Sequence, residues 1–99
     1  MDVEQFRQAE VLADTFRTFN CARRILILWT LSDAEMSVGE IADAIGASAQ
    51  NTSQHLRMMK ERGVLASRRE GQTIFYQITD PNLLKRYGLE PYDGNQAQG

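Results

Sequence analysis

Apolar residues recur at helical spacing from the start of the chain. In VEQFRQAEVLADTFRTF (3–19), Phe6, Ala9, Ala13, Phe16 and Phe19 fall on one stripe, which predicts an amphipathic helix with an aromatic face. Asn20 punctuates it. CARRILILWTL (21–31) is apolar nearly all round after its first turn, the pattern of a helix buried on most sides, and Ser32 and Asp33 end it. Ser37 then precedes VGEIADAI, with Glu40 three residues on. This spacing is that of a capping box, in which the Ser oxygen takes an orphan N–H and the Glu reaches back. Ile41, Ala42 and Ile45 make the inward stripe, and Gly46 suits a helix end that needs positive φ. Ser48 caps a further helix over 49–62, with Thr52, Leu56 and Met59 facing the core and Gly63 terminating it. Two short helices joined through Gly46-Ala47-Ser48 form a helix-turn-helix pattern.

After Gly63 the period changes. VLASRREGQTIFYQIT (64–79) carries β-branched and aromatic residues on either side of Glu70-Gly71-Gln72, and Ile74, Tyr76 and Ile78 alternate as one face of a strand does. Gly71 sits where a hairpin turn needs positive φ. Asp80-Pro81 opens a last short helix running to about Tyr87, with Pro suited to its first turn. The polar, Gly-containing DGNQAQG (93–99) reads as a disordered tail behind a single domain over 1–92. The expected fold is mainly α with a β-hairpin wing: a winged helix-turn-helix.

Composition narrows the class. A chain of 99 residues makes one domain with a small core. Ile25-Leu26-Ile27-Leu28-Trp29 is the longest apolar run, far short of the roughly 20 residues that span a bilayer. The acidic start, MDVEQF, lacks the apolar region of a signal peptide. Cys21 is the only cysteine, so no intrachain disulfide forms. The expectation is a cytoplasmic protein with no membrane partner. There is no nucleophile–base pair, no Gly-rich phosphate loop and no carboxylate pair on a plausible cleft, so no enzymatic activity is expected, and nothing calls for a cofactor or a metal.

Net charge alone, −2, argues against nucleic acid, but its distribution does not. Residues 1–47 sum to −4, residues 48–79 to +3 and residues 80–99 to −1. A local basic face on an acidic chain is an electrostatic footprint. The same segment opens with SAQNTSQHL, rich in the Ser, Gln and Asn side chains that read base edges. The candidate DNA-binding residues are therefore Ser48, Gln50, Asn51, Ser53, Gln54, His55 and Arg57 on the helix, with Arg68, Arg69 and Gln72 on the hairpin. The plainer alternative is a solvated polar face.

The chain resembles the ArsR/SmtB family of bacterial repressors over about residues 12–80. The residues that carry the resemblance are the ARRILILWTL helix, EIADAIGAS, SQHLRMMKERGVL and the hairpin RREGQTIFYQI. The resemblance implies a homodimer that binds a palindromic double-stranded DNA operator and is released by an inducer, whose identity these residues do not give. It also implies a dimer interface on the first and last helices. On those helices the candidate interface residues are the stripe of Phe6, Ala9, Ala13 and Phe16 on the first and Leu83, Leu84 and Tyr87 on the last. The sensing residues depart from the family. Its metal-binding Cys-Val-Cys falls on Ser37-Val38-Gly39, no histidine follows His55, and Trp29 stands at the second-helix cysteine of the reactive-sulfur sensors. Thr52 replaces a usually apolar residue and needs an acceptor for its hydroxyl, such as a carbonyl one turn back.

Several residues keep two readings. His55 is a phosphate contact or a structural hydrogen-bonding group, being too isolated for a metal site. Cys21 is a small filler or, beside Arg23 and Arg24, a thiol of lowered pKa. The aromatic stripe is dimer core or an apolar effector site. For the whole chain the readings are a sequence-specific DNA-binding repressor, or a winged-helix protein–protein module with no operator of its own.

Overall fold

The structure, a computed structural model, describes residues 1–92; the tail expected at 93–99 lies outside the described residues. The chain runs α1 (Val3–Phe19), α2 (Ala22–Thr30), β1 (Met36–Ser37), α3 (Val38–Ile45), α4 (Ala49–Glu61), β2 (Leu65–Glu70), β3 (Thr73–Ile78) and α5 (Leu83–Arg86). Local chemistry sets most of these boundaries. Ser37 accepts from the Glu40 N–H at 3.2 Å while the Glu40 carboxylate accepts from the Ser37 N–H at 2.9 Å, closing the capping box of α3. Gly46 takes φ 68°, a conformation that costs a side chain, and turns the chain out of α3. Ser48 then accepts from the Asn51 N–H at 3.0 Å and starts α4. At its far end, Gly63 and Val64 return their amides to the carbonyls of Lys60 and Met59, both at 2.9 Å.

The wing is a three-stranded antiparallel sheet ordered β1-β3-β2. Glu70 pairs with Thr73 across Gly71-Gln72, and Gly71 at φ 64° is the only member of the turn with positive φ, as a type II′ turn requires. Alternation predicts two of these strands. The third, β1, is two residues long and pairs Met36 with Tyr76 and Ser37 with Phe75. Too short to show a period, it exists only because β3 offers it partners.

One core joins the layers. Ile27 and Leu28 from α2, Ile41 from α3, Leu56 and Met59 from α4, Leu65 from β2 and Tyr76 from β3 meet in a single buried cluster, with Phe19, Leu31, Val64 and Leu83 closing it. Two elements differ from the pattern-based expectation. α2 is covered on one side only: Leu26 is 38 % and Trp29 36 % exposed. The indole N–H of Trp29 donates to the Leu89 carbonyl at 2.7 Å and ties the C-terminal segment to α2. The last helix is a single turn, and Leu83 is 6 % exposed, its side chain taken up by the chain's own core.

α1 is the reverse case. Only Thr18 and Phe19 of its 17 residues are buried. Phe6, Ala9, Ala13 and Phe16 stay exposed, with Phe6 at 56 %. The helix is held at its C-terminal end, where Phe16 meets Tyr87 edge-on with ring centroids 5.6 Å apart and Asp14 pairs with Arg62 at 2.7 Å. The Arg62 guanidinium holds the Asp14 carboxyl below its ordinary range.

Thr52 is fully buried and its hydroxyl has no hydrogen-bond partner among the described residues; the carbonyl one turn back, Ser48, accepts the Thr52 N–H. A buried unsatisfied hydroxyl costs about 1–3 kcal/mol. Thr52→Val keeps the shape and removes the penalty. We expect it to raise the melting temperature by roughly 4–8 °C for each kcal/mol recovered, measured by thermal unfolding at neutral pH; an unchanged or lower value would show that the hydroxyl is satisfied.

Candidate nucleic-acid interface

Burial of Thr52, Leu56 and Met59 fixes the rotation of α4 and so decides what its other side presents. Gln50, Gln54 and Arg57 are exposed and follow each other at helical spacing along one face. The face is polar along its whole length, and no large apolar side chain of α4 is exposed. Ser48 is exposed at the N-terminus, with its oxygen accepting from Asn51 and its O–H left to donate. Ser53 is half-buried beside Gln54. Asn51 and His55 lie on a flank, also half-buried, and face the start of α2. There the Arg23 guanidinium donates to the Asn51 side-chain carbonyl at 2.7 Å. Burial first, then the charges of Arg24 and Arg23, push the His55 pKa down, so the imidazole is neutral at pH 7. Asn51 is thus already engaged, and His55 is not a standing cation.

The wing arginines have different employments. Alternation along β2 puts them on opposite faces of the sheet, Arg69 opposite Ile74 and Arg68 opposite Phe75. The Arg68 guanidinium lies 4.6 Å over the Phe75 ring and donates to Glu35 from Nε at 2.9 Å and to Glu70 at 2.7 Å. The two carboxylates hold the Arg68 pKa well above its usual value, and Arg68 holds Glu35 below the ordinary range. Charge patterning alone counts Arg68 as available to phosphate. In the folded protein it braces β2 across β3 to the segment entering β1, with its charge cancelled. Arg69 and Gln72 are exposed near the tip, and Arg69 makes no ion pair among the described residues.

Ion pairing sorts the remaining arginines in the same way. Arg7 pairs with Glu4, Arg17 and Arg62 with Asp14, and Arg86 with Asp80. Among the described residues Arg23, Arg24, Arg57 and Arg69 make no ion pair. All four lie on α4, on the wing, or at the α2 terminus against α4. The uncancelled guanidinium charge therefore gathers around the polar face of α4.

Nothing nearby suits a metal: among the described residues no three His, Cys, Asp or Glu side chains come together. Cys21 sits half-buried at the N-cap of α2, where the backbone N–H of Arg24, and then that of Arg23, lower the thiol pKa against the opposing effect of burial. A cleft of about 290 Å³ between α1, the end of α4 and α5 is lined by Asp14, Arg62, Asp80 and Arg86, whose charges are satisfied in pairs. No helix among the described residues is long and apolar enough to cross a membrane.

A helix-turn-helix with its second helix exposed, flanked by a hairpin wing, defines the winged helix-turn-helix class of DNA-binding domains. The model of the bacterial regulatory protein arsR family matches residues 21–67, and the chain belongs to that family. It is 37 % identical to the HTH-type transcriptional regulator KmtR of Mycobacterium tuberculosis over 77 % of this chain but only 58 % of that protein's length. The crystal structure of NolR from Sinorhizobium fredii superposes with a TM-score of 0.79 at 32 % identity, covering 89 % of this chain and 88 % of NolR. The homodimeric winged helix-turn-helix DNA-binding domain of a possible ArsR-family transcriptional regulator from Mycobacterium bovis superposes at 0.78 with 26 % identity, covering 90 % and 82 %.

The ion-pair pattern makes a specific prediction. Arg69→Ala should flatten the plot of log K against log salt by about 0.9 for each phosphate it no longer neutralises. Arg68→Ala should leave that slope within error and act instead on the melting temperature, because it removes the brace. DNA-binding titrations at several salt concentrations check both; equal flattening by the two variants would mean that Arg68 leaves Glu35 and Glu70 when DNA arrives.

Proposed function

We propose that this chain is a dimeric transcriptional repressor of the cytoplasm that places α4 in the major groove of a palindromic operator. The observation that carries the reading is the coincidence on α4 of exposed, uncommitted amides with a surround of unpaired arginines. Gln50 and Gln54 can each form a two-point contact with adenine, which discriminates by about 1–3 kcal/mol. Arg57 and Arg69 supply the phosphate attraction that orients the helix without reading sequence. Ser48 and Ser53 flank the reading residues and suit either edge or backbone. A module for protein contact alone would need apolar anchors on this face, and the exposed large apolar residues lie at Met1, on α1, on α2 and at Tyr92 instead.

The dimer follows from α1. Val3, Phe6, Leu12 and Phe16 are exposed on a helix that the protomer barely covers. Contiguous apolar surface of this kind marks an interaction site. A second copy related by a two-fold axis would bury the stripe of Phe6, Ala9, Ala13 and Phe16 against itself, with Leu84 and Tyr87 at its margin. Two recognition helices would then stand about one DNA turn apart, roughly 34–36 Å.

Two measurements test the reading. Gln50→Ala or Gln54→Ala should weaken binding to a duplex selected from a random pool by roughly 5- to 150-fold, with little effect on a scrambled duplex; equal losses on both would remove the amides from sequence reading. Phe16→Glu should give monomers or aggregates by sedimentation and abolish binding to the selected duplex, and a wild-type protein that sediments as a monomer at micromolar concentration would sink the dimer.

A further inference from the structure

Arg23 lies outside the helix-turn-helix and the wing, and nothing in the motif pattern singles it out. On the DNA-binding reading above, we propose that Arg23 is a backbone-phosphate contact at the edge of the groove, and that Asn51 positions it rather than reading a base. Arg23 is exposed, and its Nη1 donates to Asn51 Oδ1 at 2.7 Å across 28 residues of chain. A guanidinium has five N–H groups, so the remaining donors are free to meet an anion. Its partner is an amide, which fixes the direction of the guanidinium and leaves its charge intact. The contrast is with Arg68, which Glu35 and Glu70 both orient and neutralise. A cation held by a neutral acceptor is preorganised for an anion that is not yet there.

The dimensions agree. A helix with its side chains is about 10–12 Å across, and the major groove is about 12 Å wide. A helix lying in that groove therefore brings its flanks to the phosphate walls. Asn51 is on a flank of the first turn of α4, and Arg23 is bonded to it from outside. His55, one turn further along the same flank, feels the positive charges of Arg24 and Arg23, neither of which makes an ion pair among the described residues. The carbonyl oxygen of Asn51 already accepts from Arg23, and this bond fixes the plane of the amide. The two-point contact to adenine needs both ends of the amide aligned with the base edge, and an amide whose plane is set by Arg23 is oriented by α2 rather than by a base.

The test uses the full chain and two probes: a duplex enriched from a random pool by the wild-type protein, and a scrambled duplex of equal length. Arg23→Ala should weaken both by a similar factor, about ten-fold, and flatten the salt slope by about 0.9 per protomer. Arg23→Lys should restore the slope, because it restores the charge. Asn51→Ala should weaken both probes less than Arg23→Ala does and leave the selected sequence unchanged, and the double variant should lose no more than Arg23→Ala alone. A wild-type slope in Arg23→Ala overturns the phosphate contact. A loss in Asn51→Ala that is confined to the selected duplex and adds to that of Arg23→Ala overturns the positioning role. Failure of the wild-type protein to enrich any duplex would overturn the DNA-binding reading itself, and this inference with it.

Discussion

The burial of one side of α4 is the constraint on which the rest of the molecule depends. Thr52, Leu56 and Met59 are fully enclosed among α2, α3 and the wing. Removing a buried Leu or Met side chain costs about 2–5 kcal/mol, a large share of a small domain's stability, so the helix has little freedom to rotate. With its rotation set, Gln50, Gln54 and Arg57 point to solvent and Asn51 and His55 face the start of α2. The exposed polar face is thus a consequence of packing on the opposite side. The unsatisfied Thr52 hydroxyl is a flaw in that packing, which the surrounding apolar contacts outweigh.

Electrostatics supplies the second layer. Ion pairing decides where the arginines of this acidic chain keep their charge. Asp14, Asp80, Glu4, Glu35 and Glu70 each occupy an arginine, and the arginines left over lie on or against α4 and at the wing. Exposed ion pairs of this kind contribute little to stability. Their effect is selective: they subtract charge where a phosphate would be a poor partner and leave it where one would be good. Net charge therefore misleads for this protein, and even a count by segment overstates the wing by one arginine.

α1 is covered by the rest of the chain only at one end. A helix of 17 residues is about 25 Å long, and only its C-terminal end, through Phe19 and the Phe16–Tyr87 contact, joins the core. The exposed aromatic stripe is the counterpart, at the level of assembly, of the buried stripe on α4. In the proposed dimer the same kind of apolar burial would hold two recognition helices at a fixed spacing, and the short α5 would contribute Leu84 and Tyr87 but not Leu83.

What could be read from the sequence was what neighbouring residues decide among themselves. The capping box of Ser37 and Glu40, the turn at Gly46, the cap at Ser48 and the hairpin at Gly71 each involve groups within a few residues, and each formed where its local chemistry placed it. The inward positions of α4 were equally legible, since helical period alone separates them from the polar face. The rest joins distant parts of the chain and leaves no periodic trace. β1 is two residues that become a strand only beside β3. Arg68 and Glu35 are 33 residues apart, Arg23 and Asn51 are 28 apart, and Trp29 reaches Leu89 across 60. A sequence shows that a charge or an amide is present; whether it is cancelled, engaged or free depends on which remote group the fold brings within hydrogen-bonding distance, about 3 Å, and only the tertiary structure decides that.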